Sequence, residues 1–172
     1  MPARRLPRGV PRPAGVVRTG LPVAVITPGP YLDLPAVDLP RAVTQVVVTG
    51  AGQAGLSAAY FLRRGGLAAG RDFIVLDGND LSGGAWQHRW PSLTLGRTHN
   101  IHDLPGFPMG RFDADEPASA VVGRYYAEYE RRFELAVLRP VRVTAVSSPA
   151  GQRGPLIVAT DQGNWLTNRL IN

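Results

Sequence analysis

The feature that most constrains this chain is a junction over residues 45–66. The run Gln45-Val46-Val47-Val48-Thr49 is β-branched and apolar without alternation, which fits a parallel strand covered on both faces. It passes directly into Gly50-Ala51-Gly52-Gln53-Ala54-Gly55, then into Leu56-Ser57-Ala58-Ala59-Tyr60-Phe61-Leu62-Arg63-Arg64 and a Gly65-Gly66 stop. The order strand, glycine turn, helix admits few folds. With 20 Gly among 172 residues the bare pattern G-x-G-x-x-G is expected about 0.3 times by chance, so its weight comes from context.

That context is a second buried-strand run, Phe73-Ile74-Val75-Leu76, ending at Asp77, 22 residues after Gly55. A helix from residue 53 to 66 carries the chain about 21 Å and a strand over 72–77 returns it by about 20 Å. Asp77 therefore comes back to the sheet edge that bears Gly50. A right-handed crossover sets the two strands side by side, with the turn facing a pyrophosphate and Asp77 facing a ribose. Gly50 allows the tight turn, Gly52 lets the backbone approach the pyrophosphate, and Gly55 lets the helix lie close to the strand. Gln53 and Ala54 open the helix, whose N–H groups and partial positive charge favour phosphate by a few tenths to about 2 kcal/mol. Gly78, not an arginine, follows Asp77, so a 2′-phosphate has no local partner. The alternative is that the glycines serve only a tight turn and Asp77 lies on the surface.

Composition narrows the chemistry. There is no Cys, which excludes disulfides, thiolate zinc sites, iron–sulfur ligation and a redox dithiol. No apolar run approaches the roughly 18 residues of a membrane span, and a cytoplasmic location is expected. All 19 basic residues are Arg, and the net charge of +6 is concentrated in residues 1–43, where prolines are also dense. Proline opposes a helix there, so this leader is expected to be extended or disordered and dispensable. An arginine arm on nucleic acid, an export signal and a transit peptide are weaker readings, because the arginines are scattered among prolines without stacking aromatics or an uninterrupted apolar core.

Beyond Asp77, Gly83-Gly84-Ala85-Trp86-Gln87-His88-Arg89-Trp90 opens a long irregular stretch to about Asp115, and so long a loop usually has a purpose. Over residues 44–172 the chain resembles flavin-containing monooxygenase-like and pyridine-nucleotide-disulfide-type flavoproteins, especially bacterial FAD-dependent oxidoreductases. The likeness rests on VVVTGAGQAGLSAAYFLRRGG, on FIVLDGND and on GGAWQHRWPSLTLGRTHNIHDLPGFPM. It implies that the glycine turn binds the FAD pyrophosphate and Asp77 the adenosine ribose. It further implies that Gly83, Gly84 and Trp86, continued by Arg89 and Trp90, lie against the flavin half. Leu93 to Pro105 resembles the loop bordering the isoalloxazine and substrate. From the residues alone, Trp86 and Trp90 could equally be core aromatics and Arg89 a surface charge. His99 and His102 lack a third ligand and helical context, so no metal site is assigned.

The remainder reads as scaffold. Asp115 and Pro117 suit a helix start, and Ala118, Val121, Val122, Tyr125, Tyr129 and Phe133 recur at helical spacing. Val141 to Val146 alternates, Pro149 to Gly154 turns, Leu156 to Thr160 runs back, and Gln162-Gly163-Asn164 turns again before Leu170-Ile171, giving an antiparallel meander. The expected fold is α/β: a Rossmann-like FAD-binding domain over 44–172 with a parallel sheet and an inserted meander, incomplete at its C-terminus.

The resemblance implies an activity in which NAD(P)H reduces FAD and the flavin passes electrons to oxygen or another acceptor. No second G-x-G-x-x-G occurs, so no NAD(P)H site is assigned. The flavin would carry the redox chemistry, and no catalytic side chain is named. The expectation is a truncated or split flavoprotein with FAD as its ligand, weakly active or inactive alone. Alternatives are a dinucleotide-binding module without turnover, docking with a separately encoded remainder at an open sheet edge over Arg169 to Asn172, or a nucleic-acid partner for the leader.

Overall fold

The computed structural model describes residues 41–99, 101–149 and 154–172. The expectation for the leader at residues 1–40, and the tip of the turn at 150–153, lie outside the described residues.

Strand β1 (Ala42–Thr49) leads into helix α1 (Gln53–Arg64), and α1 returns through strand β2 (Phe73–Leu76). β1 starts three residues before the apolar run, because Arg41 and Ala42 are already held by the last strand: the Arg41 N–H donates to the Asn164 carbonyl at 2.6 Å, and Ala42 lies opposite Trp165. β1 and β2 pair in parallel, Val46 with Phe73 through Thr49 with Leu76. Parallel pairing of consecutive strands needs a crossover connection, which α1 supplies. α1 stops at Gly65 and Gly66, the latter at φ +94°, a left-handed position where a side chain would be strained.

Irregular chain then runs to helix α2 (Ala118–Arg132), interrupted by 3-10 helices at Gly84–His88 and Leu95–Arg97. α2 buries Ala118, Val121, Val122, Tyr125, Tyr126 and Tyr129; Tyr126 joins the expected stripe, while Phe133 falls at the C-cap, just past the helix, and is only half-buried. A two-residue strand β3 (Val137–Leu138), too short for a periodic signal, pairs in parallel with β2. Strands β4 (Val143–Ser147), β5 (Leu156–Thr160) and β6 (Gly163–Ile171) form the antiparallel meander. Gly163, expected in the last turn, instead begins β6 opposite Thr160 at φ +107°.

The sheet order is β3-β2-β1-β6-β5-β4. β6 serves both halves of the sheet. Its first part pairs antiparallel with β5 as far as Thr167, and it lies parallel to β1 from Trp165 to Ile171. Beyond Thr167 the pairing with β5 ends, so Arg169 to Ile171 pair along one side only, opposite Val46, Val47 and Val48 of β1. This is an α/β fold with a parallel Rossmann-like core and a meander.

Both faces of the parallel strands are buried, which explains their unbroken apolar sequence. Val46, Val48, Phe73 and Val75 point toward α1 and α2, packing with Leu56, Ala59, Tyr126 and Tyr129. Val47, Ile74 and Leu76 point the other way, against Val158 and Trp165 of the meander and Val141.

Candidate functional site

The β1–α1 turn is built from what its residues lack. Gly50 sits at φ +82° and its N–H donates to the Leu76 carbonyl at 2.7 Å, which fixes the turn beside the end of β2. A Cβ on Gly55 would lie 1.8 Å from the Gly50 carbonyl oxygen. Only glycine lets α1 rest on the turn this closely. A Cβ on Gly52 would meet nothing within 4 Å, so the backbone there faces open space. The first helical bond runs from the Leu56 N–H to the Gly52 carbonyl, and the N–H groups of Gln53, Ala54 and Gly55 precede it. No side chain caps this end and its first turn holds no acid. The helix presents N–H donors and partial positive charge to the space in front of Gly52.

The second glycine pair lies directly on the first. A Cβ on Gly84 would come within 2.8 Å of the Gly52 Cα, and one on Gly83 within 3.3 Å of the Gly123 Cα in α2. Both glycines are buried and take positive φ, +126° at Gly83 and +53° at Gly84. The loop after β2 is thus wedged between the glycine turn and α2. Trp86 is half-buried against the α-helical side of the core, while Arg89 is exposed and Trp90 is 60% exposed. The structure brings Gly50, Gly52, Gln53, Ala54, Gly55, Asp77, Gly83 and Gly84 to one end of the parallel sheet. Trp90 is no core aromatic.

Asp77 follows β2 and is only 3% exposed. It is held by its backbone, whose N–H donates to Leu138 at 3.0 Å and whose carbonyl accepts from Val141 at 2.8 Å. Its carboxylate is also engaged: Oδ2 accepts from Arg139 Nε at 2.9 Å and Oδ1 from Asn79 Nδ2 at 2.9 Å. Arg139 turns the rest of its guanidinium to Glu130 of α2, donating through both terminal nitrogens at 2.7 Å. Glu130 Oε2 also accepts from the Ser82 hydroxyl at 3.1 Å, and Asn79 Oδ1 lies 2.8 Å from His88 Nε2. Burial by itself would lower the Arg139 pKa; hydrogen bonds and charge from Glu130 and then Asp77 outweigh it and hold the guanidinium above its ordinary value.

This network went unread in the sequence because its members are far apart. Arg139 is 62 residues from Asp77. The available signal was one arginine inside the apolar run Ala136-Val137-Leu138-Arg139-Pro140-Val141, since a charge among buried residues needs a partner.

The loop after Trp90 is tied to the helices. The Tyr125 hydroxyl accepts from the Leu104 N–H at 2.7 Å and donates to the Phe107 carbonyl at 2.6 Å, and the Tyr129 hydroxyl donates to Pro105 at 2.8 Å. These tyrosines hold the loop in place. A small cavity of about 310 Å³ lies beneath it between Leu95, Thr98, Ile101, Met109 and Phe112. Among the described residues no three His, Cys, Asp or Glu side chains cluster as metal ligands, and no helix is long and apolar enough to cross a membrane.

The residues present fit a dinucleotide. The face of Gly52 is open, the adjoining helix end is uncapped, and an ionised carboxylate has about four acceptor positions, of which Arg139 and the side-chain and backbone N–H groups of Asn79 take three. A further cavity of about 330 Å³, lined by Thr49, Gly50, Val143, Val146, Leu170 and Asn172, adjoins the turn.

Comparison with known proteins bears on the fold. No family model matches the chain. The flavin-containing monooxygenase from Stenotrophomonas maltophilia is 40% identical, with a TM-score of 0.61, over 75% of this chain and 37% of that one. The "Uncharacterized oxidoreductase CzcO" of Bacillus velezensis is 27% identical over 125 residues, covering 73% of this chain and 34% of the relative. Cyclohexanone monooxygenase shares the fold at 19% identity and a TM-score of 0.58, over 75% of this chain and 26% of its own. The chain spans about a third of the length of the curated relatives it matches. Over that third, the chain is similar in sequence and fold to flavin monooxygenases and CzcO-like oxidoreductases.

Proposed function

We propose that this chain supplies the FAD-binding portion of an NAD(P)H-dependent flavoprotein oxidoreductase of the monooxygenase type. The observation that supports the reading best is the meeting of three features at one end of the parallel sheet. These are the open face of Gly52, the uncapped start of α1 and the Asp77 carboxylate one strand away.

The diphosphate would lie over the N–H groups of Gln53, Ala54 and Gly55, with Gly50 and Gly52 leaving the backbone bare. Asp77 would accept from the adenosine ribose on its remaining acceptor position, an interaction of about 1.5–3 kcal/mol to a charged acceptor. Gly83 and Gly84 would border the cofactor on the α2 side, and Trp86, Arg89 and Trp90 would lie toward the flavin half, where Arg89 and Trp90 are exposed enough to meet a ligand. Bound FAD would supply the hydride acceptance and electron transfer. The chain's own part is to bind, orient and shield, so no side chain is assigned a catalytic role.

The test is reconstitution. Purified chain incubated with FAD and passed over a desalting column is expected to emerge yellow, and ADP should compete with the FAD. Colourless protein, with no competition by ADP, would overturn the reading.

A further inference from the structure

We infer that Arg139, clamped by Glu130, is the positioning residue that aims the Asp77 carboxylate and pins the loop from Gly78 to Gly84 across the cofactor seat. The inference rests on the FAD reading for what Asp77 is aimed at, and on this chain's own geometry for the rest.

A carboxylate at the end of a strand can rotate, and a ribose needs it in one orientation. Here rotation is blocked from both sides. Arg139 Nε holds Oδ2 at 2.9 Å, Asn79 holds Oδ1 at 2.9 Å, and the Asp77 side chain is 4% exposed. Arg139 cannot swing either, because its two terminal nitrogens grip the two oxygens of Glu130 at 2.7 Å each. Such a two-point pairing uses the planar guanidinium fork, which an ammonium lacks. Glu130 stands on α2, whose neighbouring residues Tyr126 and Tyr129 are buried in the core. The direction of Asp77 is therefore referred to the rigid core, not to the loop it begins.

The same carboxylate of Glu130 takes the Ser82 hydroxyl, one residue before Gly83, and Asn79 reaches on to His88. The loop that begins at Asp77 and ends in the 3-10 helix at Gly84–His88 is thereby fastened near its start, middle and end to one connected set of polar groups. Phosphate approach along Gly52 depends on where Gly84 sits, since the two backbones touch there. One arginine thus organises both the ribose acceptor and the second glycine block. A merely structural ion pair would affect stability alone, whereas this arrangement predicts a loss of affinity that is larger for a ligand carrying the adenosine than for one without it.

The experiment compares the unmodified chain with Arg139→Lys and Ser82→Ala. Affinities for FAD and for FMN, which lacks the adenosine, are measured by flavin fluorescence, and amide hydrogen exchange is followed without ligand. Arg139→Lys should raise the FAD Kd about tenfold, the equivalent of one good hydrogen bond to a charged group, with a clearly smaller loss for FMN. Exchange over residues 78–84 should accelerate while the amides of α1 keep their protection. Ser82→Ala, which removes one tether and no charge, should speed exchange over 80–84 and raise the FAD Kd about threefold.

Equal losses for FAD and FMN, or exchange over 78–84 unchanged in a folded variant, would overturn the inference. If Arg139→Lys does not fold, Ser82→Ala decides by the same criteria. If the unmodified chain fails to bind FAD, the proposed function fails by that result, and the exchange data still decide whether Arg139 and Glu130 organise the loop.

Discussion

The two ends of the candidate seat are made of opposite materials. At the diphosphate end, Gly50, Gly52, Gly55 and Gly84 approach one another with no side chain between them, and the helix end is left uncapped. At the ribose end, Asp77, Asn79, Ser82, Glu130 and Arg139 fill the space with bonded polar groups that are largely out of solvent. A bare backbone can offer donors to a diphosphate only if nothing intrudes, whereas a single carboxylate becomes selective for a sugar only if something holds it still. The first problem is solved by deleting atoms and the second by adding partners.

The largest effect is expected where partners are removed. Arg139→Ala leaves Asp77 and Glu130 buried without their cation, a change that typically costs about 3–5 kcal/mol, and urea unfolding should show a loss of that order. A loss below about 1 kcal/mol would mean that water already shares these charges and that the contrast between the two ends is overstated.

Gly55→Ala attacks the bare end by adding one carbon. Alanine is favoured over glycine in a helix by about 1 kcal/mol, yet its Cβ would fall 1.8 Å from the Gly50 carbonyl oxygen. Overpacking of that kind outweighs the propensity gain, so a net destabilisation of about 2 kcal/mol is expected by the same measurement. A stabilised variant would show that α1 is free to lift from the turn.

The support beneath Glu130 can be probed by pH. Burial pushes the Tyr126 hydroxyl up to about 12 and raises that of Tyr129 as well. Unfolded tyrosine ionises near 10, so the unfolded chain loses these protons first and stability falls as pH rises from about 10 through 12. Denaturant midpoints should drop progressively across that window. A flat profile would mean that α2 admits water along its buried face.

Gly52→Ala should change stability least. Its added carbon meets nothing within 4 Å, and the loss of glycine at the start of a helix costs under about 1 kcal/mol. Its effect should appear in ADP affinity, which is expected to fall about tenfold as the carbon displaces phosphate from the helix end. Undiminished ADP affinity would place the phosphate elsewhere.

The same contrast explains what the sequence discloses. The bare end is local: strand, three glycines and helix lie within residues 45–66, with Gly50 required by its positive φ and Gly55 by its contact with the turn. The buried faces of β1 and β2 were legible for the same reason, as were the α2 stripe and the meander. The charged end is assembled from β2, the loop after it, α2 and the residue after β3, and no spacing rule links Asp77 to Arg139 across 62 residues. β3 itself is two residues long, set by pairing with β2 and not by any pattern of its own. β6 reads as a hairpin strand, yet its end also completes the parallel sheet against β1, which is a tertiary fact.

The most direct test of the account is to follow backbone amide resonances of the full chain while FAD is added. The account predicts saturable shifts at Gly50 to Gly55, at Asp77 to Asn79 and at Gly83 and Gly84, all with a single dissociation constant. Shifts confined to other surfaces, or none at the Gln53 and Ala54 amides at saturating FAD, would contradict it.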